Sequence, residues 1–133
     1  EETRRMKCRI VTPGGLYKET ECSILNIRTI DGQRGILSNH MPLVTMLEIG
    51  EMNFVTDKGR EEFAVSGGMC YFHDNLATLL VDAIESKDEI NLDRAMASKK
   101  RAEERLAKKE TNLDIKRAEL SLKRAINRIN VKG

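Results

Sequence analysis

From Lys87 to Lys132 the chain holds neither glycine nor proline, whereas eight of its nine glycines, both prolines and all five aromatic residues precede Asp74. Glycine and proline punctuate turns, and aromatic side chains favour the half-buried surface of a sheet. A sequence divided this way predicts a strand-rich first part and a helical second part, meeting near residue 86. Charge divides at the same place. Residues 1–86 carry 9 Lys and Arg against 13 Asp and Glu, a net of −4, and residues 87–133 carry 14 against 8, a net of +6. The small overall charge of +2 is therefore a cancellation. Charged residues at 33% and hydrophobic ones at 40% give a globular balance that excludes a disordered tail. No apolar run approaches the ~18 residues of a membrane span, so a soluble chain is expected.

The first part reads as short strands between turns. Lys7-Cys8-Arg9-Ile10-Val11-Thr12 stops at Pro13-Gly14-Gly15, and the run from Glu21 to Thr29 stops at Asp31-Gly32. Met52 to Thr56 and Glu61 to Val65 flank Lys58-Gly59, which predicts a hairpin. Gly67-Gly68 then separates it from Met69-Cys70-Tyr71-Phe72, and the turn His73-Asp74-Asn75 leads into Leu76 to Val81. Turns this close together, with no helical segment between them, favour an antiparallel sandwich over a βαβ fold.

The second part changes period. Ser86-Lys87-Asp88-Glu89 has the form of a capping box, and Leu92, Ala95, Ala102 and Leu106 follow on one stripe interrupted by Lys99. After the polar break Lys108-Lys109-Glu110-Thr111-Asn112, the stripe Ile115, Ala118, Leu122, Ala125, Ile129 repeats at helical spacing, with Asn112 placed to cap it. The expected product is an antiparallel helical hairpin with a thin, alanine-rich seam. At about 25 cal/mol per Å² such a seam gains little over the entropy of ordering it, so the hairpin is expected to act as a detachable arm.

The chain offers little to build an active site from. There is no GxSxG elbow, HExxH, EF-hand loop or GxxxxGK[ST] loop, and His40 and His73 both fall in turns, where histidines commonly bond backbone. Cys8, Cys22 and Cys70 are odd in number and form no CxxC. They indicate neither a disulfide framework nor a zinc site, and read as small core residues in a reducing compartment. Glu1-Glu2-Thr3-Arg4-Arg5 is not a signal-peptide pattern. Two sets of arginines stand out on the helices: Arg94 and Arg101, and Arg117, Arg124 and Arg128, each set on one face. Their forked donors suit phosphate oxygens. Interspersed Glu103, Glu104, Glu110 and Glu119 fit the plainer reading of a solvated face. A nucleic-acid reading lacks the stacking aromatics that single strands would need in the arm.

One segment is more specific. Asp31-Gly32-Gln33-Arg34-Gly35-Ile36-Leu37-Ser38-Asn39-His40-Met41-Pro42-Leu43, continued by Leu47 and Gly50, resembles the run DGxxGILxNHxPLxxxLxxG of the epsilon subunits of bacterial and chloroplast F-type ATP synthases. Val11-Thr12-Pro13-Gly14-Gly15, Ser66-Gly67-Gly68, Arg101-Ala102-Glu103 and Lys116-Arg117-Ala118-Glu119-Leu120 resemble that family too. The resemblance spans about Met6 to Val131. It implies an α+β fold: an N-terminal antiparallel β-sandwich, residues 1–86, followed by a C-terminal antiparallel two-helix hairpin, residues 87–133.

The resemblance also implies a role. The sandwich would dock on the gamma subunit and the membrane rotor ring of c subunits, with His40 among the partner-binding residues. The helices would lie folded or extend along gamma into the head, meeting the beta and alpha subunits through Lys116, Arg117, Lys123, Arg124 and Arg128 and blocking ATP hydrolysis. The chain would be no enzyme itself, would require no cofactor, and would sit peripherally at the cytoplasmic face of the bacterial cell membrane. Several bacterial members bind ATP as a regulatory ligand through I/L-D-x-x-R-A. The matching stretch here is Ile90-Asn91-Leu92-Asp93-Arg94-Ala95, with Asn91 in the Asp position. Arg101, Arg124 and Arg128 would supply further contacts, and Glu85 and Ile90 would line the base side. Weak ATP binding is the expectation, because Asn91 lacks the charge of the motif's carboxylate. A free-standing ATP-binding sensor is the alternative reading.

Overall fold

The computed structural model describes residues 5–108 and 111–133, and the chain divides into two compact units, Glu1–Ser86 and Lys87–Gly133. Lys109 and Glu110 of the polar break lie outside the described residues.

The first unit holds eight strands: β1 (Met6–Thr12), β2 (Gly15–Cys22), β3 (Ile24–Thr29), β4 (Gly32–Leu37), β5 (Leu43–Thr56), β6 (Gly59–His73), β7 (Leu76–Val81) and β8 (Ile84–Ser86). They form one sheet in the order β2-β1-β7-β6-β5-β3-β4, with β8 pairing β6. The sheet curls into a sandwich. Its edge strand β2 meets the far end of the β5–β6 hairpin, where Tyr17 packs edge-on against Phe63 and Lys18 pairs with Glu61 at 3.1 Å. Strand alternation fills the interior: Met6, Cys8 and Ile10 of β1 are buried while Lys7 between them is exposed. Leu25, Ile36, Phe54, Phe72 and Leu79 complete the core.

Three hairpins are closed by one local device. Thr12-Pro13-Gly14-Gly15, Thr29-Ile30-Asp31-Gly32 and Thr56-Asp57-Lys58-Gly59 each pair a threonine with a glycine across a two-residue turn. In each, the Thr Oγ1 accepts an amide two residues on, at 3.2, 3.1 and 3.2 Å. It also donates to the glycine carbonyl. The glycines take φ of 117°, 112° and 118°, where a side chain would be strained. The fourth hairpin turns on Asp74 and Asn75, both at positive φ, the conformation that matches strand twist in a two-residue turn.

Several boundaries differ from the sequence expectation. The run Glu21 to Thr29 is two strands, because the chain turns at Ser23, whose amide donates to Val55 O at 2.9 Å. Gly67-Gly68 bends a single 15-residue strand rather than ending one. A Cβ on Gly68, at φ 134°, would collide with the Leu80 carbonyl oxygen, so only glycine admits that approach of β7. One pair, β1 with β7, is parallel, so the sandwich is antiparallel in all but that ladder.

The second unit contains α1 (Leu92–Lys108) and α2 (Asn112–Lys132). Lys132 Nζ donates to Lys87 O at 2.9 Å, which brings the end of α2 to the entry of α1 and makes the hairpin antiparallel. Buried Ala95 and Ala125 are equally far from the middle of the connection, as are buried Ala102 and Ala118. The two helices thus meet at alanine levels, where backbones approach closely.

Both caps differ from those expected. Ser86 ends β8, and α1 is capped by Asn91, whose Oδ1 accepts the Arg94 amide at 3.1 Å. Thr111, not Asn112, caps α2: its Oγ1 accepts the Asp114 amide at 3.2 Å and donates to the Asp114 carboxylate at 2.8 Å. The side-chain oxygen must sit one residue before the helical φ/ψ run begins, and Asn112 is already inside it.

Candidate functional site

The outer face of the sandwich is apolar over a continuous area. Across β5, β6, β7, β1 and β2 the register aligns Met46, Met69, Leu80, Val11 and Leu16 in one row, and beside it Val44, Tyr71 and Thr78. Leu16 is 61% exposed, Val44 60% and Met46 52%. Ile30 joins them, its amide donating to Met46 O at 3.2 Å, and Met41 protrudes from the neighbouring loop at 73% exposure. A contiguous apolar face of this kind marks a surface that another macromolecule covers.

The loop beside that face is held by Asn75. Its Oδ1 accepts from the Asn39 amide at 2.8 Å and from Ser38 Oγ at 3.2 Å, and its Nδ2 donates to Arg5 O at 2.9 Å. His40 Nδ1 lies 2.7 Å from Met41 O, and its ring meets Phe72 edge-on at 5.9 Å. His73 lies 3.1 Å from the Asp74 carboxylate and stacks on Tyr71.

On the hairpin, successive residues advance by about 100°, so each helix carries its arginines roughly a quarter turn to one side of its alanine seam. Because the helices are antiparallel, Arg94 and Arg101 of α1 fall on the same side of the hairpin as Arg117, Arg124 and Arg128 of α2. Lys116 and Lys123 lie on the back of α2, away from α1, and Glu119 falls on the opposite side. Lys116, Arg117 and Lys123 are exposed. Arg101 Nη2 donates to Ser98 Oγ at 3.1 Å. Arg124 Nε is buried and has no hydrogen-bond partner among the described residues, which leaves a charged donor without an acceptor. Ile90 and Ala95 are buried, whereas Glu85 belongs to β8, paired with Ala64 of β6. Among the described residues no cluster of His, Cys, Asp and Glu is arranged to hold a metal ion.

The family profile described as ATP synthase, Delta/Epsilon chain, beta-sandwich domain matches residues 5–87, and that of the long alpha-helix domain of the same chain matches residues 88–133. The chain belongs to the ATP synthase delta/epsilon family. It is 41% identical over 130 residues to the ATP synthase epsilon chain of Bacillus velezensis, covering 98% of both chains. It is 41% identical to the epsilon chain of Bacillus licheniformis, covering 96% of this chain and 98% of that one. Its fold is similar to a chain of Euglena gracilis mitochondrial ATP synthase, with a TM-score of 0.80, 17% identity and coverage of 92% of this chain and 78% of that one. A chain from the central stalk and c-ring structure of the Tetrahymena thermophila enzyme aligns over all of both chains, with a TM-score of 0.67 and 16% identity.

The two profiles fall in turn on the sandwich and on the helical pair. Within that frame Asn91 has a definite position: it caps α1, and Arg94, three residues on, supplies the capped amide. Leu16, Val44, Met46, Tyr71 and Leu80 do not stand out as a surface in the sequence. The signal was present in Leu43-Val44-Thr45-Met46-Leu47, where apolar residues occupy both faces of a strand instead of alternating with polar ones.

Proposed function

We propose that this chain is a non-catalytic subunit of the rotor of an F-type ATP synthase, whose sandwich docks on the gamma subunit and the ring of c subunits. Its helical hairpin then acts as a regulatory arm that engages the beta and alpha subunits and restrains ATP hydrolysis. Near-full-length identity of 41% to bacterial epsilon chains carries the reading. The apolar outer face supports docking, since Val44, Met46 and Leu16 would otherwise stay in water. The alanine seam supports a rearranging arm, because alanines bury little area and larger partners can replace it. Such an arm is a two-state element biased by ligand and load, without chemistry of its own. As a part of that complex the chain sits peripherally at the cytoplasmic face of the membrane; no helix of the described residues is long and apolar enough to cross a membrane. ATP is a regulatory ligand held weakly on the arginine side of the hairpin, where Arg124 keeps an unpartnered Nε–H.

The test is charge reversal on the arm. Lys123→Glu with Arg124→Glu in the reconstituted complex is expected to raise ATP hydrolysis severalfold, and rising salt is expected to do the same to the unaltered complex. Hydrolysis that stays equally restrained in the double variant would refute an electrostatically held arm.

A further inference from the structure

Two thiols in the sandwich core take no part in docking or in the arm. Cys8 of β1 and Cys22, the last residue of the edge strand β2, bring their sulfurs to 3.1 Å, and both are almost fully buried. They occupy diagonal positions of the ladder: Cys8 opposes Thr20, and Cys22 opposes Met6. An approach of about 1 Å would reach the bonding distance of a disulfide, ~2.05 Å. The third cysteine, Cys70 on β6, is buried but has no such partner sulfur. Cys22 also lines a cavity of about 320 Å³ whose walls include Arg5, Glu21, Asp57, Lys58 and Glu61. Arg5 and Asp57 at its rim are exposed, so small solutes can reach it from water.

We propose that Cys8 and Cys22 form a redox-active dithiol, a modification site at which a peroxide-class oxidant entering through this cavity joins β1 to β2 by a disulfide. The cavity assigns the roles, since Cys22 is the member of the pair that lines it. The contact between the two sulfurs lowers the Cys22 thiol and raises that of Cys8, which favours attack by Cys22. Cys22 Sγ attacks one peroxide oxygen and breaks the O–O bond. The departing oxygen takes the Cys22 proton and leaves as water, and Cys22 becomes a sulfenic acid. Cys8 Sγ then attacks the Cys22 sulfur, and the S–O bond breaks as hydroxide leaves with the Cys8 proton, giving a second water. Two thiols and one hydrogen peroxide thus give one disulfide and two waters, with both sulfurs oxidised and the peroxide reduced. The product closes the β1–β2 hairpin covalently and fixes the edge strand.

The test treats the folded, full-length chain with hydrogen peroxide. Expected are a fall in free thiols from three to one, a mass loss of two hydrogen atoms, and a proteolytic fragment joining Cys8 to Cys22. The unfolding midpoint should rise by about 10 °C and return on addition of dithiothreitol, as closing a loop of this size implies. Cys70→Ala should behave as the unaltered chain, and Cys22→Ala should form no intramolecular disulfide. The unaltered chain decides the matter by itself if Cys22→Ala fails to fold. Three thiols persisting at peroxide concentrations that oxidise the urea-unfolded chain would overturn the proposal. So would separate sulfinic acids at Cys8 and Cys22, or a disulfide that engages Cys70.

Discussion

Replacing Asn91 by Asp separates two jobs that one side chain can do at the start of α1. In the structure Asn91 Oδ1 accepts the Arg94 amide at 3.1 Å, and the Asn91 carbonyl accepts the Ala95 amide at 3.0 Å. Asp caps as well as Asn, and its charge at a helix N-terminus adds about 0.3–1 kcal/mol, so Asn91→Asp should leave the hairpin at least as stable. The consequence for ATP is larger. With one carboxylate oxygen on the Arg94 amide, the other becomes a charged acceptor where the amide group now offers only donors. ATP carries donors of its own in the ribose hydroxyls and the adenine amino group. A hydrogen bond to a charged group contributes about 1.5–3 kcal/mol, which corresponds to roughly 10- to 150-fold in Kd. Titration calorimetry of the full chain with ATP measures this directly, and the shift of the unfolding midpoint with ATP concentration repeats it independently. Asn91→Ala is the control, expected to lose about 1 kcal/mol of stability with the cap. An unchanged Kd in Asn91→Asp alongside a raised midpoint would refute the reasoning, because the carboxylate would then serve the helix alone. Absence of binding by both chains at millimolar ATP would remove the ligand reading altogether.

Two further substitutions probe the sandwich. Gly68→Ala places a Cβ into the Leu80 carbonyl at a φ of 134°, and should cost at least ~2 kcal/mol, lowering the unfolding midpoint by about 8 °C. Gly32→Ala meets no atom within 4 Å and should cost only about 1 kcal/mol from its positive φ, so equal losses at the two sites would contradict the close approach of β7. Burial pushes the Cys70 thiol up from 9.0 to about 12. A raised folded value means the unfolded chain loses its proton first. Stability should therefore hold below pH 9 and fall by about 1.4 kcal/mol per pH unit towards pH 12. Cys70→Ala should flatten that decline in alkaline unfolding curves, and an unaltered slope would show that other groups cause it.

The class of each half was legible in the sequence because local chemistry wrote it. Glycine and proline mark the turns at Pro13-Gly14, Gly32 and Gly59, and the spacing of Ile115, Ala118, Leu122, Ala125 and Ile129 allows only a helix with one narrow face. The turns were legible for the same reason, although the threonine before each two-residue turn was a repeated signal that went unread: Thr12, Thr29 and Thr56 close their hairpins alike. The caps were misplaced by one residue at Asn112 and by five at Ser86, since a capping side chain is identified by where helical φ/ψ begins and several polar residues competed for the place. Of the site, the arginines were legible as a face of each helix. That the two faces share one side of the hairpin depends on the antiparallel closure, which the bond from Lys132 to Lys87 O makes visible.

The sequence alone therefore determined what depends on neighbours along the chain: the acidic, strand-rich half, the basic helical half, and the motif Asp31 to Leu43 that resembles a family. Only the tertiary structure decided what depends on residues brought together from afar. It joined Leu16, Leu80 and Met46 into one apolar face, laid β1 parallel to β7, set Asn75 against Asn39, and brought Cys8 within 3.1 Å of Cys22. Pairing register carries these facts, and register is a property of two strands at once. A slip of one residue would have turned Leu16, Leu80, Met46, Cys8 and Cys22 to the opposite face.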